Sequence, residues 1–133
     1  MRRLGSHSRS LLLIAVLVVL AAMPAIAGDI TAYEKRAFLD AQSAGKSIVV
    51  FVSADWCPIC RKQRPSVDAL AGDQKFAGVV VFVVSYDADK ETLRELNVRK
   101  QSTLIAFKGK DERTRFTAET NYQSIRALFQ SSL

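Results

Sequence analysis

At 133 residues, with 49% hydrophobic and 24% charged side chains, the chain has room for one ordinary globular domain that buries its own core. Its formal charge of +6 comes from 19 basic against 13 acidic residues with no long basic run, which argues against nucleic acid as a partner. One histidine and two cysteines leave few routes to chemistry.

The N-terminal segment reads as an export signal. Arg2, Arg3 and Arg9 precede an unbroken apolar run from Leu11 to Ala22, and Met23-Pro24-Ala25-Ile26-Ala27 then places small residues at Ala25 and Ala27. That order predicts a signal peptide over 1–27, cleaved after Ala27, and a periplasmic or secreted product. An uncleaved anchor is the alternative. A spanning helix needs about 20 apolar residues, and Pro24 interrupts this one early. Contact with a membrane is expected only if the segment stays attached. Arg2-Arg3 is not extended into a twin-arginine signal by Leu4-Gly5-Ser6. Three of the 19 basic residues and none of the 13 acids lie in this segment, so the domain over 28–133 carries +3. His7 leaves with the signal as well. The remaining domain then has no histidine, which excludes Ser-His-Asp and Cys-His nucleophile pairs, histidine-ligated zinc and histidine acid–base work.

Residues 31–44 predict a helix, with Tyr33, Ala37, Phe38 and Ala41 on one side and Gly45 ending it. Ile48-Val49-Val50-Phe51-Val52 is a β-branched and aromatic run without polar interruption, as in a strand covered on both faces. A second helix is predicted from about Pro58 to Ala71, with Val67, Leu70 and Ala71 on the face that carries Cys60. A buried strand over 79–84, a short polar helix over 87–96 and a strand over 103–107 follow. Lys108-Gly109-Lys110-Asp111 is a turn into a strand over 112–117, and a helix over 121–129 closes the chain. The order α-β-α-β-α-β-β-α makes the first two strands parallel with a right-handed crossover and the last two a hairpin. The expected class is α/β: a mixed four-stranded sheet flanked by helices.

Cys57-Pro58-Ile59-Cys60 sits where a buried strand hands over to a helix. Proline is favoured at the first helical position, which leaves Cys57 at the helix N-terminus. The helix dipole and free N–H groups there stabilise a thiolate. Cys60, one turn inward, can attack a mixed disulfide formed at Cys57, so the spacing supports both halves of thiol–disulfide exchange. On this basis Cys57 is expected to be exposed and Cys60 to lie beneath it. Two other uses remain open. A purely structural disulfide over so small a loop contributes only about 2 kcal/mol. Half a zinc site would need a second copy to complete four ligands. Gly45-Lys46-Ser47 resembles the end of a phosphate-binding loop, but it lacks the first glycine and precedes its strand. Arg61, Lys62 and Arg64 either steer an acidic partner or form a solvated helix face.

Ala54-Asp55-Trp56-Cys57-Pro58-Ile59-Cys60, together with Pro65 five residues further on and the Thr103–Gly109 strand and turn, resembles the thioredoxin-like family across nearly all of the domain. The exported, bacterial periplasmic branch fits the N-terminal segment. The resemblance implies a thioredoxin-like fold, Cys57 as nucleophile and Cys60 as resolving residue, with Trp56, Pro58, Gln101 and Ser102 facing the substrate. It implies a thiol–disulfide oxidoreductase that uses no cofactor or metal, since the two sulfurs carry the electrons. Its partners would be protein thiols or disulfides and a redox protein that recharges it, and it would be a monomer. Ile59, uncharged, lends no support to the Cys57 thiolate and favours a reducing or redox-neutral role. Two positions depart from the family. Phe51 stands where thioredoxins carry a buried acid, and Ser102 where they carry a cis-proline. A cis bond before serine is costly, so the Gln101–Ser102 peptide is expected to be trans. Ser102→Pro is then expected to tighten peptide binding. These departures keep a second class open: a thioredoxin-like binding module that holds a metal or a protein partner without turnover.

Overall fold

The computed structural model describes residues 28–133; the expected signal segment lies outside them. Among the described residues five strands and four α-helices follow in the order β1 (Asp29–Ala32), α1 (Lys35–Ser43), β2 (Ser47–Ser53), α2 (Pro58–Ala71), β3 (Val79–Ser85), α3 (Lys90–Glu95), β4 (Thr103–Lys108), β5 (Asp111–Thr117) and α4 (Tyr122–Ser131). A single 3-10 turn over Gln74–Phe76 joins α2 to β3. The sheet order is β1-β3-β2-β4-β5. β1 and β2 both run parallel to β3, β4 runs antiparallel to β2, and β5 antiparallel to β4.

The expected four-stranded sheet is therefore five-stranded. The extra strand, β1, holds Thr31 and Ala32, which the sequence periodicity places in the first helix. That helix begins at Lys35 because the Glu34 carboxylate accepts from the main-chain N–H groups of Arg36 (3.0 Å) and Ala37 (2.8 Å). Glutamate is not among the favoured capping residues, so the sequence carries little sign of this start. Gly28 leads into β1 with its N–H donating to the Ala71 carbonyl at 2.7 Å, and a Cβ there would meet that same oxygen.

β2 is central and covered on both sides, as its uninterrupted apolar run requires. Because successive side chains alternate between faces, it feeds two cores. Val49 and Phe51 join Val67, Leu70, Phe76, Leu104, Ile125, Leu128 and Phe129 under α2 and α4. Ile48, Val50 and Val52 join Phe38, Phe82, Val84, Leu93, Ile105 and Phe107 under α1 and α3. Phe38 fixes the second core by packing edge-on against Phe82 and Phe107 at 5.6 and 5.7 Å between ring centroids.

α3 is shorter than expected at its start. Asp89 accepts from the Ser85 N–H at 2.7 Å, and the Ser85 hydroxyl accepts from the Ala88 N–H at 3.1 Å. These local bonds hold 87–89 as a turn instead of a helical start. The β4–β5 turn places Gly109 at φ +56°, a conformation that favours glycine, with the Gln42 carbonyl and Gly45 of the α1–β2 turn in tight contact with any side chain there.

Candidate functional site

The end of β2 delivers the two cysteines. Cys57 keeps extended backbone angles (φ −81°, ψ 111°) and is the N-cap of α2, with Pro58 opening the helix. Its N–H donates to the Ala54 carbonyl at 3.1 Å, and its carbonyl accepts from Arg61 N–H at 3.2 Å. Its sulfur accepts from the Cys60 N–H at 3.0 Å. The two residues are joined by a disulfide, with Cα atoms 5.3 Å apart. The same donor that faces the sulfur here would face a thiolate in the reduced protein, and a helix N-terminus stabilises that charge.

Cys57 is not exposed as expected. It is 1% exposed and Cys60 2%. Both sit at one end of the core under α2, with Ile59 and Tyr86 packed against that cluster. A position at a helix N-terminus fixes the local electrostatics and not the exposure, which depends on the packing of the whole cluster.

Ile59, between the two cysteines, meets the segment before β4. Ile59 shares a groove of about 620 Å³ with Asn97, Arg99, Lys100, Gln101 and Ser102. All peptide bonds among the described residues are trans, including Gln101–Ser102. Ser102 is 2% exposed and takes a left-handed backbone conformation, φ +58°. Its N–H donates to the Val52 carbonyl at 2.9 Å, extending the β2–β4 ladder by one bond. Its carbonyl accepts from Ala118 N–H at 3.0 Å and from the Gln63 side-chain amide at 3.1 Å. Its hydroxyl donates to the Gln101 carbonyl.

Those bonds overturn the expectation for Ser102→Pro. Proline fixes φ near −65° and has no N–H, whereas this position needs φ +58° and uses its N–H.

Trp56 lies on the other flank, 55% exposed. Its indole N–H donates to Asp87 at 2.9 Å, and its ring meets Tyr86 edge-on at 6.3 Å. The sequence-predicted residues thus divide. Trp56, Cys57, Pro58 and Cys60 come together at the β2–α2 junction, while Gln101 and Ser102 face that junction across the groove with Ile59 rather than Trp56. Lys62 is exposed, and Arg61 donates to the Asp55 carbonyl at 3.0 Å. Arg64 is half-buried, its guanidinium 5.1 Å from the centre of the Phe51 ring.

Gln63 is a polar residue on the inner face of α2, where the sequence pattern points only to apolar ones. It is fully buried and bridges the carbonyls of Ser102 and Glu119. The signal was its place three residues after Cys60, on the same helical face. Within the groove Arg115 is tied down: it pairs with Glu112 and donates to the carbonyls of Leu96 and Asn97. That guanidinium holds the Glu112 carboxyl below its ordinary range.

The family model described as Thioredoxin matches residues 30–131. Among characterised proteins, Thioredoxin H2-2 of Oryza sativa subsp. japonica is 36% identical over 70 residues, covering 53% of this chain and 51% of that protein. Thioredoxin H5 of Arabidopsis thaliana is 33% identical over 69 residues, 52% and 57% of the two chains. The chain thus spans little more than half the length of these relatives. Among solved structures, Trxlp from Edwardsiella tarda EIB202 superposes with a TM-score of 0.73 at 33% identity, covering 75% of this chain and 98% of that one. The thioredoxin of Malassezia sympodialis, at 18% identity and a TM-score of 0.69, shares the fold. With a paired Cys57–Cys60 at the start of α2, the five-stranded mixed sheet behind it and the family match over 30–131, the chain belongs to the thioredoxin family.

Proposed function

We propose that the protein is a thiol–disulfide oxidoreductase that exchanges disulfides with protein thiols outside the cytoplasm. The observation that carries this is the Cys60 N–H aimed at the Cys57 sulfur from 3.0 Å, at the N-terminus of a helix. In the reduced protein that donor supports the Cys57 thiolate. The thiolate attacks a substrate disulfide, forms a mixed disulfide and releases one substrate thiolate. Cys60, as thiolate, then attacks the Cys57 sulfur, the bond to substrate breaks, and the second substrate thiolate leaves and takes a proton from water. Two electrons pass from the cysteine pair to the substrate, so a second thiol–disulfide protein must return them. The groove shared by Ile59, Gln101 and Ser102, with Trp56 on the opposite flank, receives the substrate chain.

Insulin reduction driven by a thiol donor tests the activity. Cys60→Ser is expected to accumulate mixed disulfides and Cys57→Ser to accumulate none; trapping by the wrong variant would reverse the assignment. Export is supported by the Arg2–Ala27 pattern, and the mature protein is expected to begin within a residue or two of Gly28 by mass spectrometry. Finding Arg2 or Leu4 on the purified protein would instead tether the domain to a membrane.

A second reading is favoured by the burial of both sulfurs and by the internal bonding of Ser102: a thioredoxin-like module that binds a partner without turnover. Insulin reduction no faster than with the thiol donor alone would select it.

A further inference from the structure

Before Cys60 can resolve a mixed disulfide it must lose its thiol proton, and its surroundings resist that. β2, β4 and α4 bring apolar side chains to its cluster, among them Phe51, Leu104, Ile125 and Phe129. Such enclosure favours the neutral thiol. The charged groups that face it are Arg61 and Arg64 from its own helix and Asp55 from the turn before it. All three line a side cleft of about 390 Å³ that reaches Cys60. Asp87 and Asp89, from the loop after β3, open on an adjoining cleft that Arg64 also lines.

Most of these groups are engaged elsewhere. Arg61 donates to the Asp55 main chain, Asp87 accepts from the Trp56 indole, and Asp89 accepts from the Ser85 N–H. Arg64 is placed differently. It stands four residues after Cys60, the spacing that makes helix residues neighbours on one face. Its guanidinium rests over the Phe51 ring and, among the described residues, forms no salt bridge. An aromatic face holds a cation without neutralising it, and a guanidinium tolerates partial burial better than an ammonium.

We propose that Arg64 acts on the resolving step through Cys60, its guanidinium stabilising the Cys60 thiolate across the shared cleft while water there takes the proton. Phe51 is the perch that aims the cation. The Cys60 S–H bond gives its proton to solvent, the sulfur keeps the electron pair, and that pair forms the bond to Cys57 as the substrate thiolate leaves. A cation thus does by charge stabilisation what a carboxylate would do by proton transfer.

This rests on the exchange function proposed above, but its test does not need turnover. In Cys57→Ser protein Cys60 is the only thiol, and its ultraviolet thiolate absorbance can be followed against pH. Adding Arg64→Met is expected to raise the midpoint by about one unit, a tenfold fall in acidity. Arg64→Lys is expected to keep the midpoint close to that of the arginine protein. No shift with methionine would overturn the proposal, and so would equal shifts with methionine and lysine, because the side chain would then act by packing alone. Should Arg64→Met fail to fold, Arg64→Gln makes the same comparison with a polar surface. A midpoint difference in the Cys57→Ser background, combined with no insulin reduction by the protein that keeps both cysteines, would defeat the exchange reading and leave the Arg64–Cys60 coupling intact.

Discussion

Replacing Gln63 by methionine tests whether the helix that carries the cysteines is tied to the opposite wall of the groove through one amide. Gln63 is fully buried, and its nitrogen donates to the Ser102 carbonyl at 3.1 Å and the Glu119 carbonyl at 2.8 Å. Methionine keeps the length and removes the donor. The Ser102 carbonyl retains Ala118 N–H at 3.0 Å; the Glu119 carbonyl keeps no protein donor among the described residues. Two neutral hydrogen bonds contribute about 0.5–1.5 kcal/mol each. Against this, the Gln63 carbonyl oxygen is buried without a partner among the described residues, and removing it returns about 1 kcal/mol. On central values of about 1 kcal/mol for each bond the net loss is about 1 kcal/mol, which for a domain near 100 residues lowers Tm by about 4–8 °C. Thermal and urea unfolding of the oxidised protein measure it. Gln63→Glu is expected to lose more at neutral pH, since a buried carboxylate would face two carbonyl oxygens, and to recover part of the loss as acid restores a donor. A methionine variant as stable as the parent would refute the tie.

Three other outcomes follow from named contacts. Ser102→Pro is expected to destabilise the fold by at least about 3 kcal/mol, since it forbids the positive φ and removes a ladder bond; a denaturation midpoint equal to the parent's would show that the segment can rebuild around a proline. Phe51→Asp is expected to cost at least about 3 kcal/mol through loss of a fully buried ring, even with Arg64 alongside to pair the carboxylate; urea unfolding checks it. Glu112, whose carboxyl Arg115 holds low, contributes stability that is present above its unfolded-state pKa of 4.5 and is lost as pH falls through its lower folded value. Glu112→Gln is therefore expected to flatten the acid limb of a stability–pH curve, by no more than about 1 kcal/mol for so exposed a pair.

The parts of this fold that could be read in advance are those governed by local pattern. β2 and β3 announce themselves as β-branched runs, and the cysteine pair is legible in the sequence at a strand-to-helix junction. The helix boundaries at Pro58 and Ala71 follow from a proline at the start and a periodic apolar face. β1 was hidden because a four-residue edge strand with one large apolar residue, Ile30, has no periodicity to detect; it exists through its pairing with β3. The burial of Cys57 was hidden for a related reason. Position at a helix N-terminus predicts its electrostatics, but exposure depends on how the cluster that contains it packs. Gln63 shows the limit of binary patterning: a polar residue on the inner face is inward when distant carbonyls await it.

Ser102 carries the largest consequence that composition could not show. A serine in place of a proline reads as a looser wall, with more room beside the sulfurs. The structure makes it a tighter one. Its N–H is committed to Val52, its carbonyl to Ala118 and Gln63, and its hydroxyl to Gln101. Main-chain pairing is what lets a groove accept extended chains with little regard to sequence, and side-chain pockets are what discriminate among them. With the Ser102 main chain satisfied internally, an incoming chain that paired there would first have to break bonds to β2, α2 and the turn after β5. The contact energy available at that wall therefore comes from side chains, chiefly Ile59, Arg99, Lys100 and Gln101. Two of these four are exposed cations, so on the exchange function proposed above the wall would reward a particular partner surface rather than an unfolded backbone in general, and that selectivity would follow from the same bonds that hold Ser102 at positive φ.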